Sequence, residues 1–292
     1  MANNLLQEFY PDFRQNRDGK WDPIEATNKF YSILPTCSGY EPQKLLDSHE
    51  SIQHAFHLLH AAHDESQFEV LNLRKIHQEH VQTKLTPLDP NSTEWNYILG
   101  YHGLNRGITH DVDSKIVAVY TVKSDNFFDP NTPRTLLWHG TKVSKLPEIL
   151  KNGLKVPIGY RSLMFGSGIY FSDCFTKSVF YCRDKLGKRS TVYMLLCEVV
   201  MKKPYQSNEA LDREKLTEML REGYDSVLGT GSYSPCIISH VTHNNVLWPI
   251  GGLVGDQRKK GKLAYNEMVI FDDKQVRVKY VVELKVQHAI YK

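Results

Sequence analysis

Four short stretches of this chain carry residues that could act together on one ligand. They are His139-Gly140-Thr141, the tyrosine Tyr170 behind the turn Gly166-Ser167-Gly168, the run Lys177-Ser178-Val179-Phe180-Tyr181, and Glu267 at the head of an apolar run. A glycine at 140 lets the backbone N–H and C=O approach a bound molecule with no Cβ in the way. One donor beside one acceptor is what a carboxamide needs. Ser178 adds a hydroxyl for the same group, and Tyr181, three residues further on, shares its helix face. Tyr170 can form the opposite wall of a slot for a flat ring. A carboxylate beside such a slot would stabilise positive charge developing on the bound molecule.

These residues need elements to hold them. The segment 164–182, MFGSGIYFSDCFTKSVFYC, reads as one strand-loop-helix unit, its helix running from Asp173 to Gly187. A second helix is expected from a Ser144 cap to a Gly153 stop, and a charged, amphipathic third over 211–221. Ile116–Val122, Thr191–Val200, Glu267–Phe271 and Val276–Val286 are β-branched, apolar strands. The last two are too close together for a helical crossover, so they imply a hairpin and mostly antiparallel pairing. Upstream, residues 23–33 and the stretch from Asp47 or Ser48 through Ile52, Phe56 and Leu59 have helical spacing. The turn-rich Thr86-Pro87-Leu88-Asp89-Pro90-Asn91 separates the two parts. The class is therefore α+β, mixed and mostly antiparallel, preceded by a small all-α segment over 1–80.

The chain has 292 residues, 41% apolar and 24% charged, with a net charge of +3. That is enough apolar matter for a core, and too mild a charge to argue for or against nucleic acid. The start, MANNLLQEFYPDFR, lacks the apolar run and cleavage site of a secretion signal. The apolar run VYMLLCEVVM at 192–201 contains Glu198 and is too short to span a bilayer. Five cysteines with no CxxC pair argue against a disulfide framework or structural zinc and for a reducing, intracellular setting.

Taken singly, each residue has an ordinary explanation. One histidine of 13 is unremarkable, Tyr170 and Tyr181 could be core aromatics, Glu267 a solvated strand end, and Lys177 and Ser178 a helix surface. The glycines at 166 and 168 do not open a dinucleotide-binding helix, because Phe171 stands where a third glycine is due and a strand follows. Arg258-Lys259-Lys260-Gly261-Lys262 reads first as a solvated loop, with nuclear targeting or contact to an acidic polymer as alternatives.

The joint order is what lifts these residues. LLWHGT at 136–141, ILKNGLKV, MFGSGIYFSD, TKSVFYC, LLCEVVM and YNEMVIFDDKQVRVKYVVELK resemble, in sequence order, the catalytic domain of the poly(ADP-ribose) polymerases. These are transferases of the diphtheria-toxin-like ADP-ribosyltransferase class, and the likeness is nearest their DNA-damage-responsive members. It covers roughly 84–292, while NKFYSILP at 28–35 and the helix over 48–80 resemble a shortened form of the family's helical regulatory domain.

The resemblance implies a two-sheet ADP-ribosyltransferase fold and NAD as substrate, with no metal. It implies that His139, Tyr170 and Glu267 form the catalytic set with Lys177, and that Glu267 binds the 2′-hydroxyl of the nicotinamide ribose. It places His139, Gly140, Thr141, Lys155, Tyr170, Ser178 and Tyr181 against NAD, His139 on the adenosine ribose, and Met164 and Tyr265 on the acceptor side. The partners implied are protein acceptors and a growing ADP-ribose polymer, in the nucleus and away from membranes, with DNA as an activator left open. Relatives that are silent or transfer one unit commonly replace the glutamate, which this chain retains at 267. The loop at 156–163, VPIGYRSL, is abbreviated relative to the family's donor-site loop.

Overall fold

A computed structural model describes residues 85–124, 128–159, 163–182, 190–256 and 262–291. All of them lie in the second of the two compact units into which the chain divides, Leu73–Lys292. The helical segment expected over 1–80, and the basic run apart from Lys262, lie outside the described residues.

In chain order the elements are β1 (Leu85–Pro87), α1 (Thr93–Leu104), β2 (His110–Val122), β3 (Arg134–Gly140), α2 (Leu146–Asn152) and β4 (Ile169–Phe171). There follow α3 (Phe175–Val179), β5 (Ser190–Val199), β6 (Pro204–Ser207), α4 (Arg213–Arg221) and β7 (Ser226–Gly229). The chain continues through β8 (Tyr233–Pro235), β9 (Val241–His243), β10 (Val246–Trp248), β11 (Leu253–Gly255), β12 (Glu267–Ile270) and β13 (Val276–Tyr291). A seven-stranded sheet has the order β1-β2-β13-β5-β3-β10-β9, a four-stranded sheet the order β4-β12-β7-β6, and β11 pairs with β8 in a small ribbon. Only the β10–β3 and β6–β7 pairings are parallel among the described strands. The architecture is the expected mixed, mostly antiparallel α+β fold.

The long central strands follow from their composition. β2, β13 and β5 are rich in Val, Ile and Tyr, which suit a pleated, buried surface. Alternate residues Val192, Met194 and Leu196 of β5 and Tyr280, Val282 and Leu284 of β13 face one core with Trp138, Ile98, Tyr101 and Phe175. A second core under the four-stranded sheet gathers Phe165, Leu211, Met219, Val227 and Val269.

Three local expectations are corrected. β12 and β13 do not form a hairpin, since β12 pairs with β4 and β7 while β13 pairs with β2 and β5. The chain passes between the sheets through a tight turn at Asp273–Gln275, closed by reciprocal Asp272 and Gln275 capping. Gln275 staples that crossing, its Nε2 donating to the carbonyls of Val200 and Asp225 at 3.1 Å each. Ser144 caps nothing, because it lies inside a 3-10 turn, Val143–Lys145, that precedes α2. Gly153 does end α2, at φ 76°. The helix after β4 is capped at Cys174 rather than Asp173, and its α-helical part ends at Val179. The sequence reading also missed α1. Its N-cap Ser92 accepts from Trp95 N at 3.2 Å, but its apolar residues leave no clear stripe and two glycines interrupt it. The edge strand β1 takes up the start of the stretch read as a turn.

One ionic cluster in this fold is built around a buried carboxylate. The carboxylate of Glu198, on β5, faces Arg134 at 3.3 Å, Arg277 in direct contact and Lys279 at 3.9 Å. The Glu198 side chain is only 4% exposed and that of Arg134 7%. Removing one member of a buried cluster strands the others without a counter-charge. Glu198→Ala is therefore expected to destabilise the unit by about 3–5 kcal/mol, a fall on the order of 10 °C in Tm for a unit of this size. Thermal and denaturant unfolding check this, and a loss below about 1 kcal/mol would mean that the cluster acts as a solvated surface pair.

Candidate active site

Two hydrogen bonds tie the large sheet to the small one. Trp138 N donates to Ser172 O at 2.9 Å and Ser172 N to Trp138 O at 3.0 Å, a bridge between the end of β3 and the end of β4. His139 follows Trp138, and Tyr170 precedes Ser172 by two residues. The bridge therefore brings His139 Nδ1 to 2.8 Å from the carbonyl of Tyr170. In that contact Nδ1–H donates, which leaves Nε2 as an acceptor on the neutral ring. Burial pushes the His139 pKa below its usual value, opposed by the bond to Tyr170, so the ring is neutral at pH 7.

Tyr170 is fixed at both ends. Its strand pairs with β12, and its hydroxyl accepts from Phe165 N at 3.0 Å while donating to Gly166 O at 2.9 Å. Glu267 opens β12 opposite Gly229 of β7. Its carboxylate meets Lys177 Nζ at 2.7 Å, the two side chains being 14% and 12% exposed. The same ammonium donates to Tyr265 O at 3.2 Å. Lys177 thus orients the glutamate from α3, held at once by a side chain and a carbonyl.

These groups line one cleft of about 700 Å³. It contains His139, Gly140, Thr141, Lys155, Met164, Tyr170, Lys177, Ser178, Tyr181 and Glu267. Of the residues expected at the site, Tyr265 alone is absent from the lining. Its ring is buried, and its hydroxyl bonds Thr109 Oγ1 at 2.7 Å and accepts from Thr109 N at 2.9 Å. Its side chain is thus turned from the cleft, and it reaches the site through the carbonyl that holds Lys177. Lys155 sits at the outer end, 3.2 Å from Asp273. Lys145, which the sequence reading passed over, also lines the cleft.

The family model for the poly(ADP-ribose) polymerase catalytic domain matches residues 92–286. The chain belongs to the poly(ADP-ribose) polymerase family. It is 32% identical to human poly [ADP-ribose] polymerase 2, over 90% of this chain and 48% of that protein. It is 30% identical to poly [ADP-ribose] polymerase 1 of Caenorhabditis elegans, over 91% of this chain and 30% of the relative. Poly [ADP-ribose] polymerase 2 of the same worm is also 30% identical, over 90% of this chain and 54% of that protein. The chain thus spans about half, or less, of the length of these relatives.

Within this polymerase-family domain Gly140 has a different reason from the one the sequence suggested. A Cβ there would lie 1.9 Å from the Ser178 carbonyl oxygen and 2.9 Å from Tyr181 Cβ. The glycine is required by the close approach of α3 to β3, which sets Ser178 and Tyr181 on the cleft wall. Ser178 Oγ lies 3.4 Å from Trp138 O, so its hydroxyl is near the same bridge.

Several supporting residues were not legible beforehand. Asn105 Oδ1 accepts from Phe175 N at 2.9 Å and so caps α3 from the end of α1. Thr176 Oγ1 accepts from Gly107 N at 2.7 Å. His110 packs edge-on against Phe180 and Tyr265, and burial, then the nearby Lys177 charge, lower its pKa to about 4. Their partners are 69 and 70 residues away for Thr176 and Asn105. Spacing within a motif carries no trace of such contacts.

The close approach at 140 makes a direct prediction. Gly140→Ala is expected to cost about 1–3 kcal/mol of stability through overpacking against backbone. Tyr181→Ala, on a side chain 62% exposed, should stay within about 0.5 kcal/mol. Denaturant unfolding of both variants checks this. A neutral Gly140→Ala would show that α3 can move away from β3.

Proposed function

We propose that this chain is an NAD-dependent ADP-ribosyltransferase that releases nicotinamide and passes ADP-ribose to protein side chains and onto a growing polymer. The observation that carries the reading is the Glu267 carboxylate, held by Lys177 at 2.7 Å in the same cleft as His139 and Tyr170. Family membership supports it, and so does the retained glutamate.

The roles follow from the groups. The nicotinamide ring lies in the slot between Tyr170 and Tyr181, with its carboxamide on the Gly140 backbone and Ser178 Oγ. His139 Nε2, an acceptor because Nδ1–H is committed to Tyr170 O, takes the hydrogen of an adenosine ribose hydroxyl. Lys155 sits by the outer part of the donor. When the glycosidic C–N bond breaks, its electron pair leaves with nicotinamide, which departs neutral, and the ribose gains oxocarbenium character. Glu267 accepts a hydrogen bond from the 2′-hydroxyl, and this bond strengthens as the charge develops. The acceptor oxygen then bonds C1′ from the Met164 side; a carboxylate adds directly, while a hydroxyl, polarised by Glu267, gives up its proton to that carboxylate and on to solvent. Tyr265 belongs to that side only through its carbonyl to Lys177.

Aligned segments covering 90–91% of the chain extend upstream of residue 92, so the likeness to the relatives is not confined to the catalytic domain. We place the reaction in the nucleus on family likeness. DNA as an activator rests on the same likeness.

Labelled NAD followed by gel electrophoresis tests the reading: a ladder marks polymer, a single shifted band one-unit transfer, and no label a binding module. Glu267→Gln is expected to cut turnover by about 10²–10⁴-fold with NAD affinity changed far less. Calorimetry alongside nicotinamide release measures the two. Equal losses of binding and turnover, or full turnover, would remove Glu267 from this role.

A further inference from the structure

Asn266 stands one residue before the glutamate, and its buried side chain is used at both ends. Its Nδ2 donates to Asp173 Oδ2 at 2.7 Å, and its Oδ1 accepts from Gly231 N at 2.9 Å. Its own carbonyl accepts from Ser172 Oγ at 2.8 Å, and the same Ser172 hydroxyl accepts from Cys174 N at 3.1 Å. One residue thus joins the head of β12 to the β4–α3 link on one side and to the loop after β7 on the other. Side chains alternate along a strand. Asn266 therefore points into the protein where Glu267 points into the cleft, and any rotation of one displaces the other.

The clamp is also tight sterically. A Cβ at Gly231 would lie 2.5 Å from Tyr265 Cα and 2.7 Å from Asn266 N. The two backbones are in contact there, with no space to slide. Position 266 needs one donor and one acceptor on a short planar group, which asparagine supplies and aspartate does not.

We infer that Asn266 is a positioning residue for catalysis: it fixes the Glu267 carboxylate against the cleft by locking the head of β12 between Asp173 and Gly231. The inference rests on Glu267 being the reacting carboxylate. A misplacement near 1 Å costs on the order of 10²-fold in rate, because the carboxylate contact gains its strength only in the transition state.

The hydrogen bond can be reversed to test this. Asn266→Asp sets a carboxylate against the Asp173 carboxylate and removes the donor. Adding Asp173→Asn restores one donor and one acceptor with the polarity exchanged, and the acceptor for Gly231 N is retained. Nicotinamide release is measured at pH 8, well below each variant's unfolding midpoint, for wild type, N266D, D173N and N266D/D173N. The expected result is a kcat for N266D about 10²-fold below wild type, with KM for NAD within about twofold. The double variant should recover to within about tenfold of wild type. If N266D does not fold, the double variant carries the test alone.

A purely structural asparagine would lower the midpoint and leave kcat near wild type, which would overturn the inference. So would a double variant that is folded but no faster than N266D, or one that fails to fold, since the exchanged pair is isosteric. A wild-type chain that releases no nicotinamide would overturn the functional reading and this one with it.

Discussion

The pair of hydrogen bonds between Trp138 and Ser172 is the constraint on which the cleft depends. At 2.9 and 3.0 Å they are ordinary sheet bonds, but they join strands of two different sheets. Each sheet holds half of the candidate site. β3 of the large sheet delivers His139 and Gly140, while β4 and β12 of the small sheet deliver Tyr170 and Glu267. The His139–Tyr170 contact at 2.8 Å continues the same bridge through a side chain. The imidazole is therefore held by the backbone of the opposite sheet, and its tautomer is set by the same bond. Sites placed on paired strands keep tighter geometry than sites on loops.

Energetics separate what holds the fold from what orients the site. The cores rest on Trp138, Phe175, Met194 and Val282 around the large sheet and on Phe165 and Val269 under the small one. The Lys177–Glu267 pair is largely withdrawn from solvent, so the cost of desolvating both charges offsets much of their attraction and the pair adds little net stability. Its effect is directional: the ammonium is held by Tyr265 O and Glu267 together, and the carboxylate has few ways to turn. The Glu198 cluster is the reverse case, a buried carboxylate whose removal would leave the buried Arg134 without its counter-charge.

Much of this was legible in the sequence. The strands at 116–122, 191–200, 267–271 and 276–286 stood out as β-branched runs, and ten of the eleven residues expected at the site, all but Tyr265, line one cleft. What failed were readings that depend on distant partners. The proximity of Glu267–Phe271 to Val276–Val286 suggested a hairpin, but the turn at Asp273–Gln275 carries the chain from one sheet to the other. Gly140 was read as a glycine for the sake of a ligand; it does line the cleft, but the contact its missing Cβ relieves is with α3. Tyr265 was read as a wall of the acceptor side, and its ring is buried beside Thr109. Asn266 carried no signal, since its contacts to Asp173 and Gly231 span 93 and 35 residues.

A site divided between two sheets is exposed to any shear between them, and the polar cross-links are placed to oppose it. Trp138–Ser172 pins one end. Gln275 pins the other, accepting from Val200 N at 2.8 Å through its carbonyl and donating to Val200 O and Asp225 O through its side chain. Ser172 takes part twice, in the bridge and through its hydroxyl to Asn266 O. Buried hydrogen bonds contribute modestly to net stability, but leaving one partner unsatisfied is costly. Sliding the sheets would break several of these bonds together. The cleft geometry is therefore cooperative: His139, Tyr170 and Glu267 keep their spacing because no one of the cross-links can open without straining the rest.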